Sequence, residues 1–237
     1  HKQNFYGTEK DGEYVPFASK GRGLILLYIG FSFLIPLIFL FRFAVLTPIS
    51  YFSSGLRKFV DQKMSSLNID LNYQRPQPSL GRNEGWKLQE FWAGVYGIGF
   101  IALVIFKIMP AKALFIWYCL GASLFLVNSV RTLAAHHYRN AEEGELSFTD
   151  QMLDSINNPG NRWITPLWAP VGLRFHATHH LFPDLPYHVL GKAHNRLLED
   201  HGINSLYGQT VQSGLWSSLC QLWKQAGFSN LNKGAKI

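Results

Sequence analysis

Residues 91–130 read FWAGVYGIGFIALVIFKIMPAKALFIWYCLGASLFLVNSV and contain two long apolar runs. The runs cover residues 91–109 and 113–130, and only Pro110, Ala111 and Lys112 separate them. A helix of about 20 apolar residues is long enough to cross the hydrocarbon core of a bilayer. Because the connection is so short, two such helices must lie side by side and antiparallel. The sequence therefore predicts a transmembrane helical hairpin over residues 91–130.

The composition of the whole chain is also typical of a membrane protein. Of its 237 residues, 47% are hydrophobic and 16% are charged, whereas soluble domains carry about 25% charged residues. The formal net charge of +7 suits basic loops that face anionic lipid headgroups. No dense stripe of Lys and Arg suggests nucleic acid as a partner. The two cysteines, Cys119 and Cys220, predict neither a disulfide framework nor a cysteine metal site.

Basic residues around the hairpin predict its orientation. Arg131 and Arg139 follow the hairpin, whereas Lys107 and Lys112 flank its turn. Six further basic residues precede it: Arg57, Lys58, Lys63, Arg75, Arg82 and Lys87. Since cytoplasmic loops carry an excess of Lys and Arg, both ends of the hairpin are expected on the cytoplasmic side.

A cluster of histidines lies beyond the hairpin, in the sequence HATHH at residues 176–180. Positions i, i+3 and i+4 of a helix share one face, so His176, His179 and His180 are expected to project together. Imidazole is a ligand for Zn, Cu, Fe and Ni. A packed or exposed histidine cluster on a polar helix is the alternative, but three of the nine histidines fall within five residues. The spacing therefore favours part of a metal site.

A second histidine pair, His136 and His137, follows the apolar run at residues 113–130. Ionisable groups at a membrane edge are often simple anchors, but the neighbouring HATHH motif favours a ligand role. Adjacent helical residues point about 100° apart, so only one of the pair is expected to bind a metal. Residues 131–205 then form a polar region without a membrane span.

The remaining histidines are expected outside the metal-binding set. Pro183 and Pro186 end the helix that carries the HATHH motif, so His188 and His194 should contact the ligands from behind or lie on the surface. Further along, residues 206–226 place apolar side chains at helical spacing and predict an amphipathic helix.

Three segments of this chain resemble the integral-membrane fatty acid desaturase family. HATHHLFP at residues 176–183, with PYH at 186–188, resembles the third histidine box of that family, and RTLAAH at 131–136 and HKQNFYGTE at 1–9 resemble bacterial members. The resemblance implies an all-α, multi-pass integral membrane protein whose hairpin carries a cytosolic helical cap with the histidine boxes. It also implies an active site on the cytosolic face, in the bacterial inner membrane rather than the endoplasmic reticulum.

The resemblance implies two non-haem iron ions, a di-iron centre held by histidines. Matched position by position, its metal ligands are His1, His136, His176, His179 and His180, of which all but His1 are also assigned to catalysis. In the family the opening segment follows directly on the second box, so the chain is expected to be N-terminally truncated. Because five ligands cannot complete two irons, the chain alone is expected to be inactive.

The apolar run at residues 24–46 is interpreted from these ligand positions. It is long enough to span a bilayer, but Pro36 lies near its middle and would kink a helix. Ligands near residue 1 and near residue 176 must lie on one side of the membrane, so an even number of spans must separate them. The hairpin supplies two spans, and the 24–46 run is therefore predicted to be re-entrant or interfacial.

The resemblance also implies the reaction, its substrates and its partners. The expected enzyme is an O2-dependent fatty acid desaturase that acts on an acyl lipid, acyl-CoA or acyl-ACP in the membrane, with a ferredoxin or cytochrome b5-type electron donor. A redox metal is needed because unactivated C–H bonds offer no acidity for acid–base catalysis. The alternatives are a hydroxylase or ketolase of the same superfamily and a non-catalytic membrane metal-binding protein. A metal transporter would instead place its ligands inside the spans.

Two sets of residues are expected to support the site. The metal-binding imidazoles are expected to be oriented by hydrogen bonds to carboxylates, and the candidates are Asp154, Glu145 and Asp184. Aromatic candidates for the lining of an acyl groove are Phe5, Tyr6, Trp163, Trp168 and Phe175.

Overall fold

The computed structural model describes residues 5–8, 10–76, 83–141 and 144–234. Within these ranges the protein is helical and contains no β-strand, which confirms the all-α prediction. The α-helices are α1 (Phe17–Lys20), α2 (Arg22–Phe31), α3 (Ile35–Phe41), α4 (Thr47–Ser50), α5 (Ser54–Lys63), α6 (Asn83–Ile105), α7 (Ala111–Leu133), α8 (Phe148–Asp154), α9 (Thr165–Trp168), α10 (His176–Leu181), α11 (Leu190–His201) and α12 (Leu215–Gly234). A π-helical segment, Arg42–Leu46, joins α3 to α4, and 3-10 turns cover Tyr187–Val189 and Gly208–Thr210.

The chain forms two compact units. The first comprises residues 1–29 and 127–237, and the second comprises residues 30–126. The unit boundaries fall within helices α2 and α7.

Helices α6 and α7 correspond to the predicted hairpin, and most of it belongs to the second unit. Gly85–Ile105 and Ala111–Leu133 are each long and apolar enough to cross a membrane. The first helix ends before the predicted Met109, because the chain turns at Lys107, which adopts a positive φ of 58°. Beside this turn the rings of Phe100 and Trp117 lie 6.3 Å apart, so the two helices are neighbours there.

The apolar run at 24–46 is bent in the structure. Two helical pieces, Arg22–Phe31 and Ile35–Ser50, meet at an angle of 50°. The break directly precedes Pro36, which lies in the first turn of α3, where its missing N–H leaves no hydrogen bond unmade. This geometry suits either one broken span or a re-entrant segment. The predicted re-entrant arrangement therefore stays a prediction.

Small residues let the helices of the second unit approach one another closely. A Cβ added to Gly121 of α7 would lie 3.2 Å from the ring of Pro36, and one added to Gly97 of α6 would lie 3.6 Å from Ala44. Small residues at such contacts allow close van der Waals packing where water supplies no driving force. The bent segment thus packs against both helices of the hairpin.

The first unit is a set of short helices joined by three isolated β-bridges. These bridges pair His136 with Ser155, Asn157 with Phe175, and Asn157 with Val211. They bring the chain after α7, the chain after α8 and the start of α10 together. This framework places the histidines of two distant motifs side by side.

The amphipathic helix predicted over residues 206–226 has different bounds. Helix α12 begins only at Leu215, and residues 206–214 are irregular apart from one 3-10 turn. Gly208 lies so close to the carbonyl of Ile203 that a Cβ there would sit 1.9 Å from its oxygen. Tertiary packing therefore bends this stretch even though its apolar spacing suits a helix.

Candidate metal centre

His136 is held by the backbone segment that follows α7. Ile156 N donates to the carbonyl of Ala135 at 2.8 Å, and His137 N donates to the carbonyl of Asp154 at 2.7 Å. These bonds pair the segment around His136 with the segment after α8. The imidazole of His136 is consequently buried and fixed in position.

Three imidazoles converge at this point. Nε2 of His176 lies 2.9 Å from Nε2 of His136 and 3.2 Å from Nε2 of His180. The ligand atoms of the three residues all lie within 4.8 Å of one another. Two nitrogens bound at right angles to one ion, each about 2.1 Å from it, would lie about 3 Å apart. The histidine triad of His136, His176 and His180 therefore matches the donor spacing of a single metal site.

The triad is in the protonation state that metal binding requires. Burial lowers the pKa of His136 and His176 well below the usual value, and neighbouring imidazoles lower it further. Burial and the neighbouring His179 lower the pKa of His180 to about 4. All three rings are therefore neutral at pH 7, and neutral imidazole is the form that coordinates metals.

His179 lies beside the triad, and its predicted role as a ligand stays a prediction. Its ring centroid lies 6.1 Å from that of His176 and 6.0 Å from that of His180. At about 100° per residue, positions i+3 and i+4 fall on opposite sides of position i. His180 lies beside His136 in the triad, and the His179 ring lies about 6 Å from the rings of His176 and His180.

Two ring nitrogens in this region need a partner. Nδ1 of His176 and Nδ1 of His179 are buried and have no hydrogen-bond partner within the described residues. Leaving a buried polar atom unpaired costs about 1–3 kcal/mol. A bound cation would give the Nδ1 atom of His179 the partner that it lacks.

The orientation of His136 is set from behind by a tyrosine and a carboxylate. Tyr6 Oη lies 2.7 Å from His136 Nδ1 and donates its proton to Asp154 Oδ2 at 2.9 Å. Burial raises the pKa of Tyr6 well above its ordinary value, so the hydroxyl keeps its single proton. Since that proton goes to Asp154, His136 Nδ1 must carry a proton and donate it to Tyr6. The lone pair of His136 is therefore on Nε2, facing the triad.

The family model described as "Fatty acid desaturase" matches residues 1–207. The chain belongs to the fatty acid desaturase family. The resemblance drawn from its histidine motifs is thus confirmed at the level of the family.

One curated relative in this family carries a named activity. The chain is 36% identical over 240 residues to a ceramide hydroxylase from Caulobacter vibrioides (strain NA1000 / CB15N). The alignment covers 97% of this chain and 65% of the relative, so the chain spans about two thirds of that protein's length. No solved structure matches the chain.

A second polar network anchors the box helix α10 of this desaturase-family chain. Asn157 Oδ1 accepts from both the backbone N and Oγ1 of Thr178, at 3.2 Å each. Its Nδ2 donates to Tyr207 Oη at 3.2 Å and Thr210 Oγ1 at 3.0 Å. Tyr207 Oη in turn lies 2.7 Å from Thr178 Oγ1. One amide thus fixes the helix between two of its histidines.

His137, His188 and His194 also lie outside the triad. His194 is 1% exposed, and its Nδ1 lies 2.7 Å from Tyr207 Oη. His188 is exposed, and His137 is buried. His1, the fifth predicted ligand, lies outside the described residues.

The supporting residues are only partly those expected. Asp154 reaches His136 through Tyr6, whereas Glu145 and Asp184 are exposed. Tyr6 itself was expected to line a groove and is instead a hydrogen-bond partner of the triad. Asn157 has no local sequence signal that could reveal its role, since its partners lie 21 to 53 residues away.

The remaining groove candidates differ in burial. Trp163 is 74% exposed, whereas Phe175 is buried and packs 4.9 Å from the ring of His194. Phe5 is exposed, and Trp168 is half-buried. Their predicted role in an acyl groove stays a prediction.

Proposed function

We propose that this protein is an O2-dependent hydroxylase of a membrane lipid and inserts one oxygen atom into a C–H bond of an acyl chain. The observation that carries this proposal is the triad of neutral imidazoles, in which His136 is buried and His176 and His180 are half-buried. Membership of the desaturase family supports lipid oxidation, and the ceramide hydroxylase relative supports hydroxylation.

The proposed cofactor is two non-haem iron ions, as the family resemblance implied. The triad would hold one ion, and His179 and His1 are proposed ligands in the same centre. When bound, the irons would supply the O2 activation that an unpolarised C–H bond needs. The donor set fits this role because neutral imidazole suits iron.

The protein's own residues are proposed to prepare this centre. Tyr6 and Asp154 hold His136 with its Nε2 lone pair toward the site. Asn157 holds α10 so that His176 and His180 face His136. His136 is buried and His176 and His180 are half-buried, which limits the contact of an oxidising centre with bulk water.

The stoichiometry of hydroxylation defines the co-reactants that the enzyme needs. One C–H bond and O2 become one C–OH group and one water, with two electrons and two protons consumed. A ferredoxin or cytochrome b5-type protein is the proposed electron donor. The proposed substrate is a ceramide-like lipid, with acyl-CoA and acyl-ACP as alternatives, and the proposed reaction site is on the cytosolic side of the membrane.

Desaturation is the second candidate, favoured by the description of the matching family model. It consumes the same O2, electrons and protons but removes two hydrogens from adjacent carbons and releases both oxygen atoms as water. The two reactions therefore differ in whether the lipid retains an atom of O2.

Labelled oxygen separates these outcomes. Because this chain alone is expected to be inactive, the full-length protein is expressed in cells grown under 18O2, and their lipids are analysed by mass spectrometry. Hydroxylation predicts a lipid that carries one labelled oxygen on its acyl chain, whereas desaturation predicts an unlabelled lipid with an added double bond. His180→Ala should abolish either product, and His188→Ala, which changes an exposed histidine, should retain it. Unchanged lipids with the wild-type protein, or full product with His180→Ala, would contradict the proposal.

A further inference from the structure

The second unit contains a cavity that the metal centre does not use. Its volume is about 500 Å³, within the usual range of ligand pockets. Its walls come from the end of α3 and the π-helical segment, from α5 and the loop after it, and from the first turns of α6. It therefore lies beside the start of the candidate span Gly85–Ile105, where lipid headgroups lie if that helix crosses a membrane.

Three arginines line this cavity, and one of them is structural. Arg42 donates to the carbonyl of Met64 at 2.9 Å and to Thr47 Oγ1 at 2.7 Å, and it pairs with Glu90. Its side chain is almost fully buried. Because these bonds occupy its guanidinium, Arg42 holds the cavity wall together instead of offering free donors.

Arg57 differs from Arg42 because one of its guanidinium nitrogens has no hydrogen-bond partner among the described residues. Its Nη2 lies 2.6 Å from Glu90 Oε2 and 2.8 Å from Asp61 Oδ1. Its Nη1, however, is buried and has no hydrogen-bond partner among the described residues. A buried guanidinium nitrogen without an acceptor is costly. An anion in the cavity would supply the acceptor.

The third arginine, Arg75, adds charge. Its guanidinium carbon lies 3.8 Å from the centroid of the Trp86 ring, and its Nη1 donates to the carbonyl of Ser65 at 3.1 Å. The described walls thus carry three arginines against two carboxylates, Asp61 and Glu90. The cavity has a net positive charge.

The remaining walls are apolar, which decides between a free anion and a lipid. Phe39, Phe43, Met64 and Leu67 line the same cavity as the arginines. A small hydrophilic anion gains nothing from such surfaces, whereas a lipid covers them with its glycerol and acyl carbons. Nearby, Phe52 is 93% exposed just before α5, as expected of a side chain that inserts into the membrane interface.

We propose that this cavity binds the phosphate headgroup of an anionic membrane lipid, with Arg57 as the principal donor. Guanidinium groups recognise phosphate through charge-assisted hydrogen bonds. Basic pockets beside membrane-spanning helices on the cytoplasmic side bind anionic headgroups in this way. The bound lipid stabilises the π-helical segment and the start of α6 as one surface.

The test uses the whole protein in detergent and native mass spectrometry. Phosphatidylglycerol is titrated into the wild-type protein and into Arg57→Gln, Arg75→Gln and Lys58→Gln. Lys58 is the matched control, since it is exposed on the same helix and does not line the cavity. Loss of Arg57 should weaken binding roughly tenfold to a hundredfold, loss of Arg75 should weaken it less, and Lys58→Gln should bind as the wild type does. Circular dichroism checks that each variant is folded.

Two further titrations identify the ligand. Phosphatidylcholine, a zwitterionic lipid, should bind more weakly than phosphatidylglycerol, and inorganic phosphate alone should not compete with it. Equal binding of both lipids would overturn the anionic selectivity. Competition by inorganic phosphate would assign the cavity to a free anion and overturn the lipid proposal. Unchanged binding in both Arg57→Gln and Arg75→Gln would remove the cavity as the site, and the Arg75 variant decides the case if Arg57→Gln does not fold.

Discussion

At the scale of single residues, the hydroxyl proton of Tyr6 determines which ring nitrogen of His136 is free to bind a metal. Tyr6 has one hydroxyl proton and gives it to Asp154, so His136 must donate from Nδ1 and keep its lone pair on Nε2. Partners of this kind fix both the tautomer and the ring orientation of a metal ligand. Tyr6 is therefore a positioning residue for the triad.

Tyr6→Phe tests this assignment. Without the hydroxyl, His136 Nδ1 loses its acceptor at 2.7 Å and keeps only Ser155 Oγ at 3.3 Å, so the ring is held less firmly. Metal affinity should fall roughly tenfold to a hundredfold, measured by titration of the purified protein with iron(II). Tyr96→Phe is the control, since Tyr96 is 64% exposed. Equal affinities for wild type and Tyr6→Phe would show that Asp154 and Tyr6 do not orient the ligand.

His194 predicts a pH dependence of stability that is separate from the triad. Burial and the nearby Arg174 lower the pKa of His194 to about 4, below its unfolded value of about 6.5. As the pH falls from about 6.5 to 4, His194 binds a proton in the unfolded chain but stays neutral in the folded chain. Stability should therefore decrease over this window by up to ~3 kcal/mol from this group, and stay level above it.

The measurement is the thermal midpoint of the protein in detergent between pH 4 and 8. His194→Gln removes the titrating group, so its midpoint should fall less steeply with decreasing pH than that of the wild type. Other buried histidines contribute slopes of the same sign, and the comparison isolates the share of His194. Identical slopes in the two proteins would refute the assignment.

At the scale of elements, the box helix α10 depends on a residue outside it. Helix α10 has only six residues, too few to be stable by itself. Asn157 satisfies the backbone N and hydroxyl of Thr178 and ties both to Tyr207. The position of His176 and His180 is therefore set by long-range hydrogen bonds.

Asn157→Ala should destabilise the protein and disorder the triad. It leaves several fully buried groups without partners, at a cost of about 2–4 kcal/mol. Thermal unfolding measures the loss of stability, and iron binding measures the loss of the site. Asn72→Ala, which changes an exposed asparagine of the second unit, should alter neither. A variant at Asn157 with normal stability and normal iron binding would contradict this role.

These elements also show how far the sequence predicts the structure. The hairpin was predictable because length and apolar composition are local properties of residues 91–130. The HATHH motif and the family resemblance suggested that His136 and His176 bind the same centre, but their direct contact could not be derived because 40 residues separate them. Tertiary contacts determine the position of His179 outside the triad, the role of Asn157 and the late start of α12. No periodicity within a helix contains that information.

At the scale of the whole molecule, the number of membrane crossings between residue 1 and residue 176 is the main open prediction. If the bent segment from Arg22 to Ser50 is re-entrant, the loops before and after it lie on the same side of the membrane. Both then lie on the cytosolic side, as the basic residues near the hairpin predict.

Cysteine labelling tests this topology. Glu13→Cys and Asn72→Cys are introduced singly into a protein whose Cys119 and Cys220 are changed to Ser. A membrane-impermeant maleimide applied to intact bacterial cells or spheroplasts should label neither position, and it should label both after the membrane is opened. Labelling of one position alone in intact spheroplasts would show that the segment crosses the membrane completely.

We propose that His136, His176 and His180 together hold a metal ion. The amount of iron bound per chain tests this proposal directly. The protein is loaded with iron(II), desalted and analysed by inductively coupled plasma mass spectrometry. Wild type and His188→Ala should retain iron equally, whereas His180→Ala, with its thermal midpoint checked, should retain far less. Equal iron in wild type and His180→Ala would contradict the claim.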